Sequence, residues 1–108
     1  MNRTREEKME IAQTIIDQLG GKRFIAMTGA RAIYALDSGV QFGLPGSGGF
    51  TKHGINRVRI ILEPSDTYTV KFFKIRGMKK THEIEYSNVY DDNLQSVFRE
   101  ATGLDTNL

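Results

Sequence analysis

His53 and His82 are the chain's two histidines, Glu83 and Glu85 stand two residues apart, and cysteine is absent. Residues of these types do metal and acid–base chemistry, but only where spacing brings them together. No His-x-x-x-His occurs, and two histidines cannot complete a metal triad without carboxylates. Glu83 and Glu85 share one face of an expected strand and could hold Mg²⁺ with Asp66. No lysine follows either glutamate at the two-residue spacing of common nuclease sites, and basic side chains expected opposite them already account for the pair. His82 falls on an inward strand position and reads as a strand-end histidine. The residues therefore predict no catalytic site, no metal and no cofactor.

Binding of anions is the chemistry the residues do support. Residues 22 to 82 hold eleven Lys or Arg against three acids, Asp37, Glu63 and Asp66. The stretch before them nets −1 and the stretch after nets −5, so a middle of +8 lies inside a chain of +2. A footprint of that size attracts a polyanion. Its densest part is Arg76-Gly77-Met78-Lys79-Lys80, read as the loop of a hairpin closed by Ile75 and Thr81, with Lys74 just below. Basic hairpins lie along phosphates or in a groove, and Met78 at the tip can serve as an apolar wedge. Gly43 to Gly54 carries five glycines in twelve residues but is no phosphate loop. That motif needs Gly-Lys-Ser/Thr running into a helix, whereas here Gly48-Gly49-Phe50-Thr51-Lys52 runs toward a strand. It reads as a flexible connector that can bring Phe50, Lys52 and His53 onto a partner.

The elements that must position these residues follow from periodicity. Thr4-Arg5-Glu6-Glu7 has the form of a capping box. Ala12, Ile15, Ile16 and Leu19 then recur at helical spacing up to Gly20-Gly21. Leu94, Val97, Phe98 and Ala101 predict a second helix, capped by Asp91 or Asp92 and ended by Gly103. Between them the period becomes two. Asp37-Ser38-Gly39 reads as a three-residue hairpin loop that pairs Leu36 with Val40 and Tyr34 with Phe42. Val58, Ile60 and Leu62 form one inward row, and Tyr68, Val70 and Phe72 another, joined through Pro64-Ser65-Asp66. Keeping both rows on one face sets Ile60 opposite Val70 and Val58 opposite Phe72. The same parity sets Phe72 opposite Ile84 and Val70 opposite Tyr86. Lys22 to Met27 reads as a fifth strand. The expected order is α-β-β-β-β-β-α. This is an α+β fold with an antiparallel sheet of four to five strands, flanked by an N-terminal and a C-terminal helix on one face.

The face left uncovered would show Arg59 opposite Lys71, and Lys71 opposite Glu85. Beside that row, Arg57 would face Phe73, and Phe73 would face Glu83. Two readings follow: an ordinary salt-bridged surface, or a platform in which Arg57, Arg59 and Lys71 hold phosphates while Phe73 stacks a base.

Residues 1 to 108 form one domain, large enough to close a core without disulfides. Met1-Asn2-Arg3-Thr4 leads into charged residues with no apolar stretch, so no secretory signal is expected. The longest apolar run, Ala32 to Leu36, is far too short to cross a membrane. These features, with the absent cysteines, point to a cytoplasmic protein.

"LGGKRFIAMTGA" (Leu19 to Ala30), "HGINRVRIILEPSDTYTV" (His53 to Val70) and "LQSVFREATGL" (Leu94 to Leu104) together resemble a family of small uncharacterised proteins of phages, prophages and other mobile elements. The resemblance spans nearly the whole chain and implies a setting, the bacterial host cytoplasm, without implying an activity. The leading expectation is a non-enzymatic accessory protein that binds nucleic acid. Its contacts would be Arg57, Arg59, Lys71 and Phe73 on the sheet, Lys74, Arg76, Met78, Lys79 and Lys80 at the hairpin, and Lys52 and Phe50 on the glycine-rich loop. The alternative is a small protein-binding factor, an inhibitor or modulator of a host or defence protein. It would present the same basic surface to an acidic partner, or an exposed sheet edge for strand addition; an unpaired edge at Lys22 or at Val40 to Leu44 would let the sheet extend across a two-fold axis.

Overall fold

The computed structural model describes residues 3 to 106; Met1 and Asn2, part of the stretch read as carrying no secretory signal, lie outside the described residues. Helix α1 spans Arg5–Leu19 and begins as its sequence requires. The Glu7 amide donates to Thr4 Oγ1 (3.1 Å) and the Thr4 amide donates back to Glu7 Oε1 (3.0 Å). That backbone hydrogen bond from Thr4 holds the Glu7 carboxyl below its ordinary range. Ala12, Ile15, Ile16 and Leu19 are buried, as their spacing predicts.

The next segment overturns an expectation. Gly21–Thr28 is a second helix, α2, not a strand. Gly20, at φ +134°, ends α1 by donating to the carbonyls of Ile16 and Asp17 and turns the chain straight into α2. A strand would have put Lys22 on the same face as Phe24. The helix buries Phe24 and Thr28, four residues apart, and leaves Lys22 and Arg23 in solvent. Phe24 then meets Phe98 edge-on at 5.0 Å and Phe42 at 5.6 Å, forming the aromatic centre of the core.

Five antiparallel strands follow as a simple meander: β1 Arg31–Leu36, β2 Gly39–Gly43, β3 Arg57–Leu62, β4 Tyr68–Arg76 and β5 Lys79–Val89. Two single 3₁₀ turns, Ser47–Gly49 and Lys52–Gly54, interrupt the β2–β3 connection. After β5 comes a 3₁₀ turn at Asp91–Asn93 and then α3, Leu94–Thr102. Neither aspartate caps this helix. Asn93 holds the cap position with no side-chain bond, and Asp91 Oδ1 accepts instead from the Asp92 amide. The helices cover one face of the sheet: Ile15, Leu19, Phe24, Leu94 and Phe98 pack with Val40, Phe42, Val58, Ile60, Val70 and Phe72.

The interior registers are the expected ones, with Val58 facing Phe72, Ile60 facing Val70, Phe72 facing Ile84 and Val70 facing Tyr86. The first hairpin differs. Leu36 pairs with Gly39 across a two-residue turn, Asp37-Ser38, so Ala35 meets Val40 and Tyr34 meets Gln41. A one-residue slip exchanges faces, which leaves Tyr34 51% exposed and turns Ala35 toward the core. Gly39 enforces this register, because a Cβ there would stand 2.0 Å from the Ile60 carbonyl oxygen.

The sheet's edges are β1 and β5, not Lys22 or Val40 to Leu44; β2 is an interior strand. Both edge strands are bulged, and each bulge contains a residue in the left-handed region: Ala32 (φ 52°) in β1, and His82 (φ 54°) and Asn88 (φ 54°) in β5. Such bulges interrupt the regular edge another chain would need for pairing.

Candidate nucleic-acid interface

On the uncovered face, register aligns Gln41, Arg59, Lys71 and Glu85 in one row across four strands. The row is internally satisfied. Arg59 Nε donates to Gln41 Oε1 at 2.7 Å, and Lys71 Nζ lies 3.8 Å from Glu85 Oε1. Arg57 turns back along the strand, where its Nη1 donates to the Asn56 carbonyl at 2.8 Å. It sits over Gly43, whose lack of a side chain makes the space. These bases read as the salt-bridged surface rather than as free phosphate ligands.

Phe73 is displaced from its expected role. It is only 3% exposed, and Lys80 Nζ lies 4.8 Å from the centre of its ring. No base can stack on a ring already covered by a cation. The bulge at His82-Glu83 is the cause. It shifts β5 by one residue, so Glu83 no longer faces Phe73 and Lys80 reaches over the ring instead. Lys80 Nζ also bonds Glu83 Oε2 at 2.8 Å. That hydrogen bond, aided by the charges of Lys80, Lys71 and Arg59, holds the Glu83 carboxyl below its usual range.

The β4–β5 hairpin is tighter than expected. Ile75 pairs with Lys80, not Thr81, and Arg76 pairs with Lys79, leaving a two-residue turn at Gly77-Met78. Gly77 takes φ +63°, the glycine-first pattern of a type II′ turn. Alternation along the two strands splits the bases. Ile75 and Lys80 share the uncovered side with Phe73, whereas Lys74, Arg76 and Lys79 stand on the opposite side. Arg76 and Lys79 are direct cross-strand neighbours of like charge. Among the described residues, neither they nor Lys74 has an ion-pair partner. Met78 at the tip is fully exposed.

The glycine-rich connection is tied down more than its composition predicts. Lys52 Nζ donates to the Glu100 carbonyl near the end of α3 at 3.0 Å, where the helix dipole favours a cation. Thr51 is buried and its hydroxyl donates to the Ile55 carbonyl at 2.7 Å. Lys52 is thus committed to the fold, while Phe50 remains exposed. The structure brings together Lys74, Arg76, Met78 and Lys79. It separates them from Arg57, Arg59, Lys71 and Phe73, and it engages Lys80 elsewhere.

One pairing is invisible in the sequence. His82 is not inward-facing: it lies exposed in the β5 bulge, with its ring 4.7 Å from that of His53 in the Lys52–Gly54 turn. Twenty-nine residues separate them and neither spacing nor periodicity announces the contact. The only available signal is that both are polar residues beside turns or bulges, where left-handed conformations are found. Among the described residues, no three His, Asp or Glu side chains are grouped so as to hold a metal ion, and no helix is long and apolar enough to cross a membrane.

Comparison with protein-family models, with curated proteins and with solved structures returns no match.

Proposed function

We propose that this chain is a non-enzymatic nucleic-acid-binding accessory protein, of the kind mobile elements encode in a bacterial cytoplasm, and that it binds through the end of the β4–β5 hairpin. The observation that carries this reading is the set of cations there, Arg76 and Lys79 flanking an exposed Met78 with Lys74 below them, which lack ion-pair partners among the described residues. Phosphate neutralisation by such cations is independent of sequence and steeply salt-dependent. The sheet face contributes little, because Arg59 and Lys71 are already bonded within it.

Fluorescence anisotropy with labelled single- and double-stranded oligonucleotides tests this. Removing one phosphate-binding cation should lower the slope of log affinity against log salt by about 0.7 on single strands and about 0.9 on duplex. Arg76→Ala with Lys79→Ala should therefore flatten the duplex slope by about 1.8. Lys80→Ala should leave it nearly unchanged, since Lys80 serves Glu83 and Phe73. No binding at low salt, or an equal flattening from Lys80→Ala, refutes the assignment.

A second reading, a factor that binds and modulates a host or defence protein, is favoured by a separate observation. Met9, Ile33 and Tyr34 are exposed apolar side chains that line one groove of about 420 Å³ between α1 and β1, with Arg5 and Lys8 also in its wall. An apolar groove with basic walls complements an acidic amphipathic segment. A purified partner that binds the wild type and not Ile33→Asp, while oligonucleotides fail to bind, would establish this reading over the first.

A further inference from the structure

We infer that the base of the hairpin holds a proton-dependent phosphate site formed by His53, His82 and Lys74, an inference that rests on the nucleic-acid reading above and gives it a pH dependence. The two imidazole rings lie 4.7 Å apart at a 41° tilt, one from the Lys52–Gly54 turn and one from the β5 bulge. Lys74 converges on the same place: its Nζ lies 3.1 Å from where a Cβ on Gly54 would stand, beside His53. A glycine at φ +70° in this turn leaves the space that the lysine chain occupies.

The surrounding charges are mostly positive. Lys52, next to His53, directs its ammonium to the Glu100 carbonyl, and Arg76 stands two residues beyond Lys74 on the same side of β4. The nearest acid in sequence, Glu83, has its carboxylate bonded to Lys80. Among the described residues, neither imidazole is paired with a carboxylate. An anion placed among two imidazoles and an ammonium finds donors on three sides and a charge opposite to its own. Phosphate suits the role: it accepts hydrogen bonds from several donors at once and carries the compensating charge. Imidazole changes charge between about pH 5 and 8, so binding coupled to proton uptake strengthens as pH falls through that window. Both histidines adopt the left-handed backbone region, at φ 56° and 54°.

The test uses the intact chain and the double variant His53→Asn, His82→Asn; asparagine tolerates the left-handed backbone and does not titrate. Oligonucleotide anisotropy is measured from pH 7.5 to 5.5, and the imidazole proton resonances are followed by NMR at pH 5.5 as inorganic phosphate is added. Wild-type affinity is expected to rise about tenfold across the range, the response expected when about one proton is taken up over part of that window. The double variant should change less than about threefold. Phosphate should shift both wild-type rings. An equal pH response in the double variant, or rings that ignore phosphate, overturns the site even if oligonucleotides bind. Rings that respond to phosphate with no oligonucleotide binding at any pH would keep the site and refute the nucleic-acid reading, placing a small phosphorylated ligand there instead.

Discussion

Replacing Phe73 by leucine separates a stacking platform from a packed strand residue. Phe73 is 3% exposed and its ring carries the Lys80 ammonium at 4.8 Å. A Phe73→Leu exchange keeps most of the apolar volume, so repacking costs about 1 kcal/mol. Without the ring, the attraction to the Lys80 ammonium disappears as well, at about 0.5–1 kcal/mol, the modest end because that side chain is half exposed. Together these predict destabilisation by about 1.5–2 kcal/mol, which at a urea dependence near 1.5 kcal/mol/M lowers the midpoint by about 1 M. Oligonucleotide affinity at fixed salt, measured well below the midpoint, should stay within about twofold, since the ring offers no free face. Circular dichroism in urea and anisotropy on the same preparations decide the matter. A tenfold drop in binding with an unmoved midpoint would refute the burial argument and restore Phe73 as a base-stacking residue. Met78→Ala is the counterpart: its side chain touches no core, so stability should change by less than about 0.5 kcal/mol.

Two further outcomes follow from the packing. Gly39→Ala would drive a Cβ to within 2.0 Å of the Ile60 carbonyl, a backbone atom that cannot step aside, so destabilisation above about 3 kcal/mol and a broadened or absent unfolding transition are expected by circular dichroism. Burial raises the Tyr68 hydroxyl above its ordinary range, and the neutral hydroxyl donates to Gln18 Oε1 at 2.8 Å. The unfolded chain then ionises first, so this contribution is intact below about pH 10 and is lost as pH rises through the folded value. Thermal midpoints of the wild type should therefore fall more steeply between about pH 9 and 11 than those of Tyr68→Phe. Equal slopes would show that the hydroxyl is not shielded.

Much of the frame is legible in local chemistry. The capping box at Thr4 and Glu7 is satisfied within four residues, so nothing distant can alter it. The rows Val58, Ile60 and Val70, Phe72 must share a face or forfeit the core, and that requirement alone sets the β3–β4 register. Periodicity failed where the segment was short. Residues 22–27 read as a strand because six residues span less than two helical turns, and the burial of Phe24 with Thr28 becomes visible only once Phe42 and Phe98 surround the ring.

The α+β class, the inward rows of the central strands, the helix at each end and the concentration of positive charge in the middle of the chain can all be read from residue types in order along the chain. These depend on residue type and on spacings of two to four, which act before the chain is folded. Tertiary structure alone decided which of those charges stay free. A single inserted residue at His82-Glu83 carried Lys80 over Phe73 and onto Glu83, and the same bulge brought His82 to His53. Bulges obey the pairing of a whole strand with its neighbour, and side chains 29 residues apart meet only after the turn between β2 and β3 has folded back onto the hairpin.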